Sequence, residues 1–236
     1  MDRNPRIYDQ PASFTASSDH TKFITNVYAW MGGALALTGL TAMYVYSNEA
    51  LLQFIFSSSL NYWLLIGAEL ALVFYLTAAI NRMSSQKAMM YFLVYSAING
   101  ITMSSIFLMY TASSIASTFF ITAGTFGAMS LYGYTTKTDL TKVGNIAIMG
   151  VMGLIIASLV NIFLQSEMIY WATSFIGVAV FTGLTAYDTQ KIKQMAVYQD
   201  ADSEAGQKTA IIGALMLYLD FINLFLMLLR FFGRRD

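Results

Sequence analysis

The chain has 236 residues, of which 57% are hydrophobic, 15% aromatic and 11% charged, where an average soluble domain is about 45–50% apolar and about 25% charged. With 13 basic and 13 acidic residues, it has too few charges to cover a soluble surface and no basic field to hold a nucleic acid, so composition implies a polytopic membrane protein in contact with the lipid bilayer and excludes nucleic-acid binding as a main role. The absence of cysteine excludes disulfides, thiolate nucleophiles, iron–sulfur clusters and Cys-based zinc sites.

Residues 1–22 contain both prolines, Pro5 and Pro11, among many Ser, Thr, Asp and Arg. They lack the apolar core of a cleavable signal peptide and read as a polar cytoplasmic tail, leaving 23–236 as a single seven-helix transmembrane domain. His20, the lone histidine, sits in that tail and reads as a solvated side chain. A bilayer core about 30 Å thick takes about 20 apolar helical residues. Seven such runs follow: Phe23–Tyr46, Tyr62–Ile80, Ala88–Tyr110, Ser113–Tyr134, Gly144–Leu164, Ile169–Asp188 and Ile211–Leu229. No internal repeat of fixed period accompanies them. Gly100 and Ser104, four residues apart, suit close helix packing.

Lys and Arg alternate between the connections. The tail has Arg3, Arg6 and Lys22, and the loops after spans 2, 4 and 6 have Arg82 and Lys87, Lys137 and Lys142, and Lys191, Lys193 and Lys208. The loops after spans 1, 3 and 5 have none. By the positive-inside rule the N-terminus is cytoplasmic and, with seven spans, the C-terminus outside. Arg230, Arg234 and Arg235 then lie on the disfavoured side, which a six-span arrangement with a re-entrant last segment would avoid.

An ionisable group within an apolar span costs roughly 2.5–3.5 kcal/mol at mid-helix and marks a functional candidate whose partner must be named. The candidates are Glu69 in span 2, Arg82 after its cytoplasmic end, Asp188 closing span 6, Asp220 in the middle of span 7, and Arg230 at its end. At about 100° per residue, Asn223 and Arg230 fall about 60° and 80° from Asp220, forming one polar seam on a helix otherwise apolar all round. Such a helix belongs at the centre of a bundle; the competing reading is a stripe that only fixes packing. Two carboxyls brought together would share a proton. Asp188 and Asp220 can meet only if span 7 starts late or span 6 continues past Lys191, because Asp220 lies about 13 Å inside the start of its span at 1.5 Å per residue.

The string Leu-Tyr-Leu-Asp-Phe-Ile-Asn-Leu-Phe-Leu-Met-Leu-Leu-Arg-Phe-Phe-Gly at 217–233 resembles the C-terminal signature of the Bax inhibitor-1 family. Ala-Tyr-Asp-Thr-Gln-Lys-Ile at 186–192 and Thr-Lys-Thr-Asp-Leu at 136–140 support the match. The resemblance implies an all-α fold, six helices wrapped around a central C-terminal helix, and a calcium leak regulated by pH. It also implies that Asp188 and Asp220 are a proton-sharing pair that forms the pH sensor and ion pathway and could hold Ca²⁺, with Arg82 as a latch and Glu69 with Arg230 as an outer ion pair. Calcium is then the transported or bound ion, with no other cofactor, and the bacterial-type likeness implies an inner (plasma) membrane. Since Glu69 and Arg82 are 13 residues apart, a regular helix sets them about 140° apart, and both need not face one pore.

Two rival classes remain. Intramembrane aspartyl proteases also place two aspartates on consecutive helices. Here Leu217-Tyr218-Leu219 stands before Asp220 in place of Gly-x-Gly, and no proline follows residue 11, so the chain is expected not to be an enzyme. The alternative function is a non-transporting membrane regulator that binds a membrane protease or a stress-response partner. No Gly-rich phosphate loop precedes a basic residue, and the acidic loop Asp200, Asp202 and Glu204 reads as a solvated connection.

Overall fold

The computed structural model describes the backbone of residues 12–234 and side chains from residue 19; the expected tail lies outside the described residues up to residue 11. From Ala12 that tail is already helical, the first turns of α1 (Ala12–Ser47). There follow α2 (Glu49–Phe56), α3 (Ser59–Ala79), α4 (Ser85–Met103), α5 (Ile106–Met109), α6 (Ala112–Thr135), α7 (Thr141–Leu164), α8 (Glu167–Ala196) and α9 (Glu204–Phe232). Among the described residues seven helices are long and apolar enough to cross a membrane, with α4 and α5 counting as one.

Local chemistry sets the helix ends. Asn48, Ser58, Ser84, Thr111, Ser166 and Ser203 each accept a backbone N–H of the first turn that follows them, satisfying donors that hydrocarbon would leave orphaned. The connection after span 1 folds into the short helix α2, which hydropathy alone does not reveal. Between α4 and α5 the Ser104 hydroxyl donates to the Ile101 carbonyl and that of Ser105 to the Thr102 carbonyl, a local competition with the helical ladder where the span changes course. The difference from expectation that bears on the site is in span 6, which runs past Lys191 to Ala196.

The C-terminal helix is the axis of the bundle. In its most apolar 18 residues 67% are buried inside the protein, against 6% in α3 and 11% in α7. It packs against α1, α4, α6 and α8, while α3 lies outside on α4 and α7 outside on α8. The core follows α9: Ala214, Leu217, Tyr218 and Leu224 are fully buried, joined by Phe23 and Val27 of α1 and Phe92 of α4. Phe221 meets Phe119 and Phe126 of α6 edge-on at 5.4 and 5.5 Å between ring centres, a favoured aromatic geometry. The large apolar side chains left exposed on α3 and α7, such as Phe74, Ile146 and Phe163, suit a surface solvated by lipid chains.

Two glycines permit the close approaches that seat the helices. A Cβ on Gly100 would lie 2.8 Å from the Thr41 side chain and closer still to the Thr38 carbonyl oxygen, and one on Gly133 would run into the Ala186 backbone. Gly32 faces open space. Gly100→Ala and Gly133→Ala should each lower stability by about 1–3 kcal/mol, whereas Gly32→Ala, in open space inside α1, should raise it slightly, by up to about 1 kcal/mol. Thermal unfolding in detergent measures all three.

A candidate carboxyl site between the last two helices

Continuation of α8 resolves the depth problem. Asp188 stands eight residues before the end of α8, about 12 Å at 1.5 Å per residue, and faces the central helix. The carboxyls of Asp188 and Asp220 lie within hydrogen-bonding reach of each other, at 8% and 4% exposure. A hydrogen bond between two carboxyl groups requires a proton on one of them. Asp220 Oδ2 is buried and has no hydrogen-bond partner among the described residues.

A hydroxyl shell closes around this turn of α8. Thr189 Oγ1 donates to Ser130 Oγ of α6 at 3.3 Å and lies 3.4 Å from the Tyr28 hydroxyl of α1. The cation acting on Asp188 is Lys191, three residues on along the same helix, with its ammonium 5.9 Å from the Tyr187 ring centre. That i,i+3 spacing was the available signal for a residue the sequence reading passed over.

Gln190 anchors the site to the connection between α6 and α7. Its Oε1 accepts the Leu140 N–H at 2.9 Å and its Nε2 donates to the Thr138 carbonyl at 2.8 Å. The strings at 136–140 and 186–192 therefore dock on each other. In that connection the Thr141 hydroxyl and N–H both donate to Asp139 Oδ1, at 2.6 and 2.9 Å. These bonds, with Lys142 nearby, hold the Asp139 carboxyl below the usual carboxylate range.

Glu69 and Arg230 do not form the expected ion pair. Glu69 accepts from Asn99 Nδ2 at 3.2 Å and Thr102 Oγ1 at 2.5 Å, both on α4. Asn99 Oδ1 in turn accepts from the Tyr218 hydroxyl at 3.1 Å, which lies 2.7 Å from the Thr38 hydroxyl. Arg230 instead turns to α8, with Nη1 donating to Ser174 Oγ at 3.4 Å and the guanidinium 5.0 Å from the Tyr170 ring centre. The physical reason is topological: α3 packs on α4, and α4 on α9, so Glu69 meets α4 before it could meet the central helix.

Arg82 and Asn223 also depart from expectation. Arg82 ends a single 3₁₀ turn after α3, exposed, with no hydrogen bond or ion pair to Asp188, because α3 is not packed on α8. Asn223 is half-buried and its Nδ2 donates to the Leu219 carbonyl of its own helix at 2.8 Å. Of the seam residues only Asp220 faces a carboxyl. Among the described residues no group of three or more His, Cys, Asp or Glu side chains could hold a metal. Ca²⁺ takes six to eight oxygens, so Asp188 and Asp220 alone make at most a partial coordination shell, completed by water.

These features define a polytopic α-helical membrane protein with a carboxyl pair buried against its central helix. Residues 20–236 match the family described as "Inhibitor of apoptosis-promoting Bax1", and the chain belongs to the Bax inhibitor-1 family. It is 53% identical to the inner membrane protein YbhL of Escherichia coli (strain K12) over 214 residues, 90% of this chain and 92% of that one. It is 48% identical to a protein of Borreliella burgdorferi over 91% of this chain and 92% of the relative. A membrane protein of Streptococcus pyogenes serotype M1 is 36% identical over 91% and 93%.

Since Glu69 and Arg230 share no partner, their stability losses should add: the double variant Glu69→Gln/Arg230→Gln should match the sum of the singles within about 0.5 kcal/mol. A thermal double-mutant cycle with a coupling well above that value would mean the two are paired. For Asp139, a folded-state pKa depressed below the unfolded one contributes stability that is present at neutral pH and lost as pH falls through the folded value. An NMR titration should therefore place its midpoint below that of free Asp, about 3.9, and Thr141→Val should move it upward.

Proposed function

We propose that the protein is a pH-sensitive calcium leak channel in which the Asp188–Asp220 pair is the proton sensor and part of the ion path. The observation that carries the reading is the contact of two carboxyls, each less than a tenth exposed, between the central helix and a neighbour. While one proton is shared, the pair fastens α8 to α9; once both are ionised, they repel. One chemical event of modest size thus acts on the axis of the bundle. The same oxygens attract a hard cation, and the lack of a third acidic ligand favours passage over tight retention. Arg82, being exposed, is left out of the latch, and Lys191 takes the place of the cation that biases Asp188.

The Lys/Arg alternation supports a cytoplasmic N-terminus and an outer C-terminus. Relatedness to an inner membrane protein of Escherichia coli supports the bacterial inner membrane as its place. In this reading the chain has no catalytic residues and no cofactor besides the calcium ion it passes.

The test is Ca²⁺ flux from proteoliposomes holding the purified protein, measured across pH. Asp188→Asn and Asp220→Asn should each abolish the pH dependence, to a similar extent, because either leaves a single carboxyl with nothing to share its proton. A wild-type pH profile in either variant would remove the pair from the sensor. No flux at any pH would favour the non-transporting regulator, whose partner would be a membrane protein.

A further inference from the structure

At the end of the bundle opposite the basic loops, a cleft of about 570 Å³ opens between the α7–α8 turn and the last turn of α9. Its polar wall is Asn161, Gln165, Ser166 and Arg230, and its apolar wall includes Trp171 and Phe231. The turn that shapes it is held in place. Gln165 adopts φ 50° and donates its N–H to the Asn161 carbonyl, while Asn161 Oδ1 accepts the Ser166 N–H at 2.8 Å. Gln165 is the one non-glycine residue with positive φ among the described residues, a strained conformation that persists only where its surroundings impose it.

No described carboxylate neutralises the Arg230 charge in this cleft. Arg230 is half-buried and its partners are a hydroxyl and a ring face. Among the described residues the ion pairs are Lys22–Asp202 and Lys208–Glu204, so no described carboxylate lies within 4 Å of the guanidinium. Glu167 borders the cleft but is exposed, turned to solvent in place of closing on Arg230. A guanidinium offers five donors in a planar fork suited to phosphate oxygens. The first turn of α8, which begins in the cleft wall, adds the positive end of a 30-residue helix. Tyr170 meets Trp171 edge-on at 5.8 Å between ring centres, and Trp171 meets Phe231 tilted at 5.4 Å. Aromatic side chains collect at headgroup depth.

The geometry points to a phosphate-binding site in this cleft, with Arg230 as its principal ligand, filled by the phosphate of an anionic phospholipid headgroup or by free phosphate. The site is independent of the Asp188–Asp220 pair, which lies ten residues away from it along α9. A lipid source places acyl chains along the exposed apolar faces of α7 and α8 and the phosphate on the guanidinium. A free anion occupies the polar wall alone.

The test uses the full chain in non-ionic detergent, with Trp30→Phe and Trp63→Phe so that Trp171 is the only tryptophan emitter. Its fluorescence is titrated with dihexanoyl phosphatidylglycerol, with inorganic phosphate and with dihexanoylglycerol. Saturable responses to the first two and none to the third assign the phosphate group itself. Saturation by phosphatidylglycerol alone assigns the lipid headgroup. Arg230→Gln should weaken binding by about tenfold or more, the scale of one charge-assisted hydrogen bond. Glu167→Gln, an exposed change that removes the opposing charge, should tighten it by about threefold. Arg230→Lys, which keeps the charge without the fork, should fall between parent and Arg230→Gln, and with Glu167→Gln it keeps the test decisive if Arg230→Gln does not fold. No saturable response to either phosphate compound, an equal response to dihexanoylglycerol, or a midpoint unmoved in both Arg230→Lys and Glu167→Gln overturns the assignment.

Discussion

Two carboxyl groups facing each other inside a bilayer-spanning bundle are a constraint the rest of the chain must accommodate. Neither can remain charged there without a partner except at a cost of several kcal/mol, and their contact fixes the register of α8 against α9. The register demands a long α8. Asp188 can reach the depth of Asp220 only because the helix continues to Ala196, carrying Lys191 and Lys193 beyond the carboxyls. There Lys193 donates to the Tyr134 carbonyl at 2.6 Å and Gln190 holds the α6–α7 connection. On the inner side of the same stretch, Gly133 and Gly144 let α6 and α7 come in against Ala186 and Tyr187. The motif strings at 136–140 and 186–192 are thus joined through Gln190, two residues beyond Asp188.

The seven spans were legible in the sequence because hydrocarbon thickness fixes their length, and the central place of α9 because a helix apolar nearly all round has no face to offer water. The Asp188 and Asp220 positions were legible for the same reason: a charge in an apolar run is conspicuous. Their partners were harder to read. A helical wheel describes one helix, and Glu69 shows what that omits. In sequence it calls for a cation, yet hydroxyl and amide donors on α4 satisfy it at 3.2 Å or less, and nothing in span 2 announces Asn99 or Thr102. Asn223 shows the reverse case. It lies on the polar side of the wheel and spends its amide on its own backbone, a local bond that wheel angles do not distinguish from a tertiary one.

The helix ends follow a similar division. The capping Ser, Thr and Asn residues emerge only in the structure, and span 6 was cut at Asp188 because polar residues after it resembled a loop. Thr189, Gln190 and Lys193 are instead helical and engaged in tertiary bonds, and Lys191 lies over the Tyr187 ring of its own helix. Their polarity reflects a buried polar junction at the end of the bundle, a case in which tertiary contacts override the reading of composition as solvent exposure.

The placement of Tyr218 and Asp220 on α9 has a mechanical consequence. Two residues apart, they point about 200° apart around the helix axis, so the central helix is held from nearly opposite sides. On one side Tyr218 is bound to Asn99 and Thr38 and, through Asn99, to Glu69 on α3. On the other, Asp220 faces the carboxyl of Asp188. The Tyr218 side consists of hydroxyl and amide groups meeting one carboxyl, whereas the Asp220 side is a single contact between two carboxyls. In the proposed sensor, ionisation of both carboxyls removes one of two opposed restraints and leaves the other, so the force on α9 is lateral and directed away from α8, toward the α1 and α4 face. A closely packed core transmits such a shift without absorbing it, and α9 touches α1, α4, α6 and α8. In the proposed sensor, the carboxyl pair acts on four helices through one rigid element.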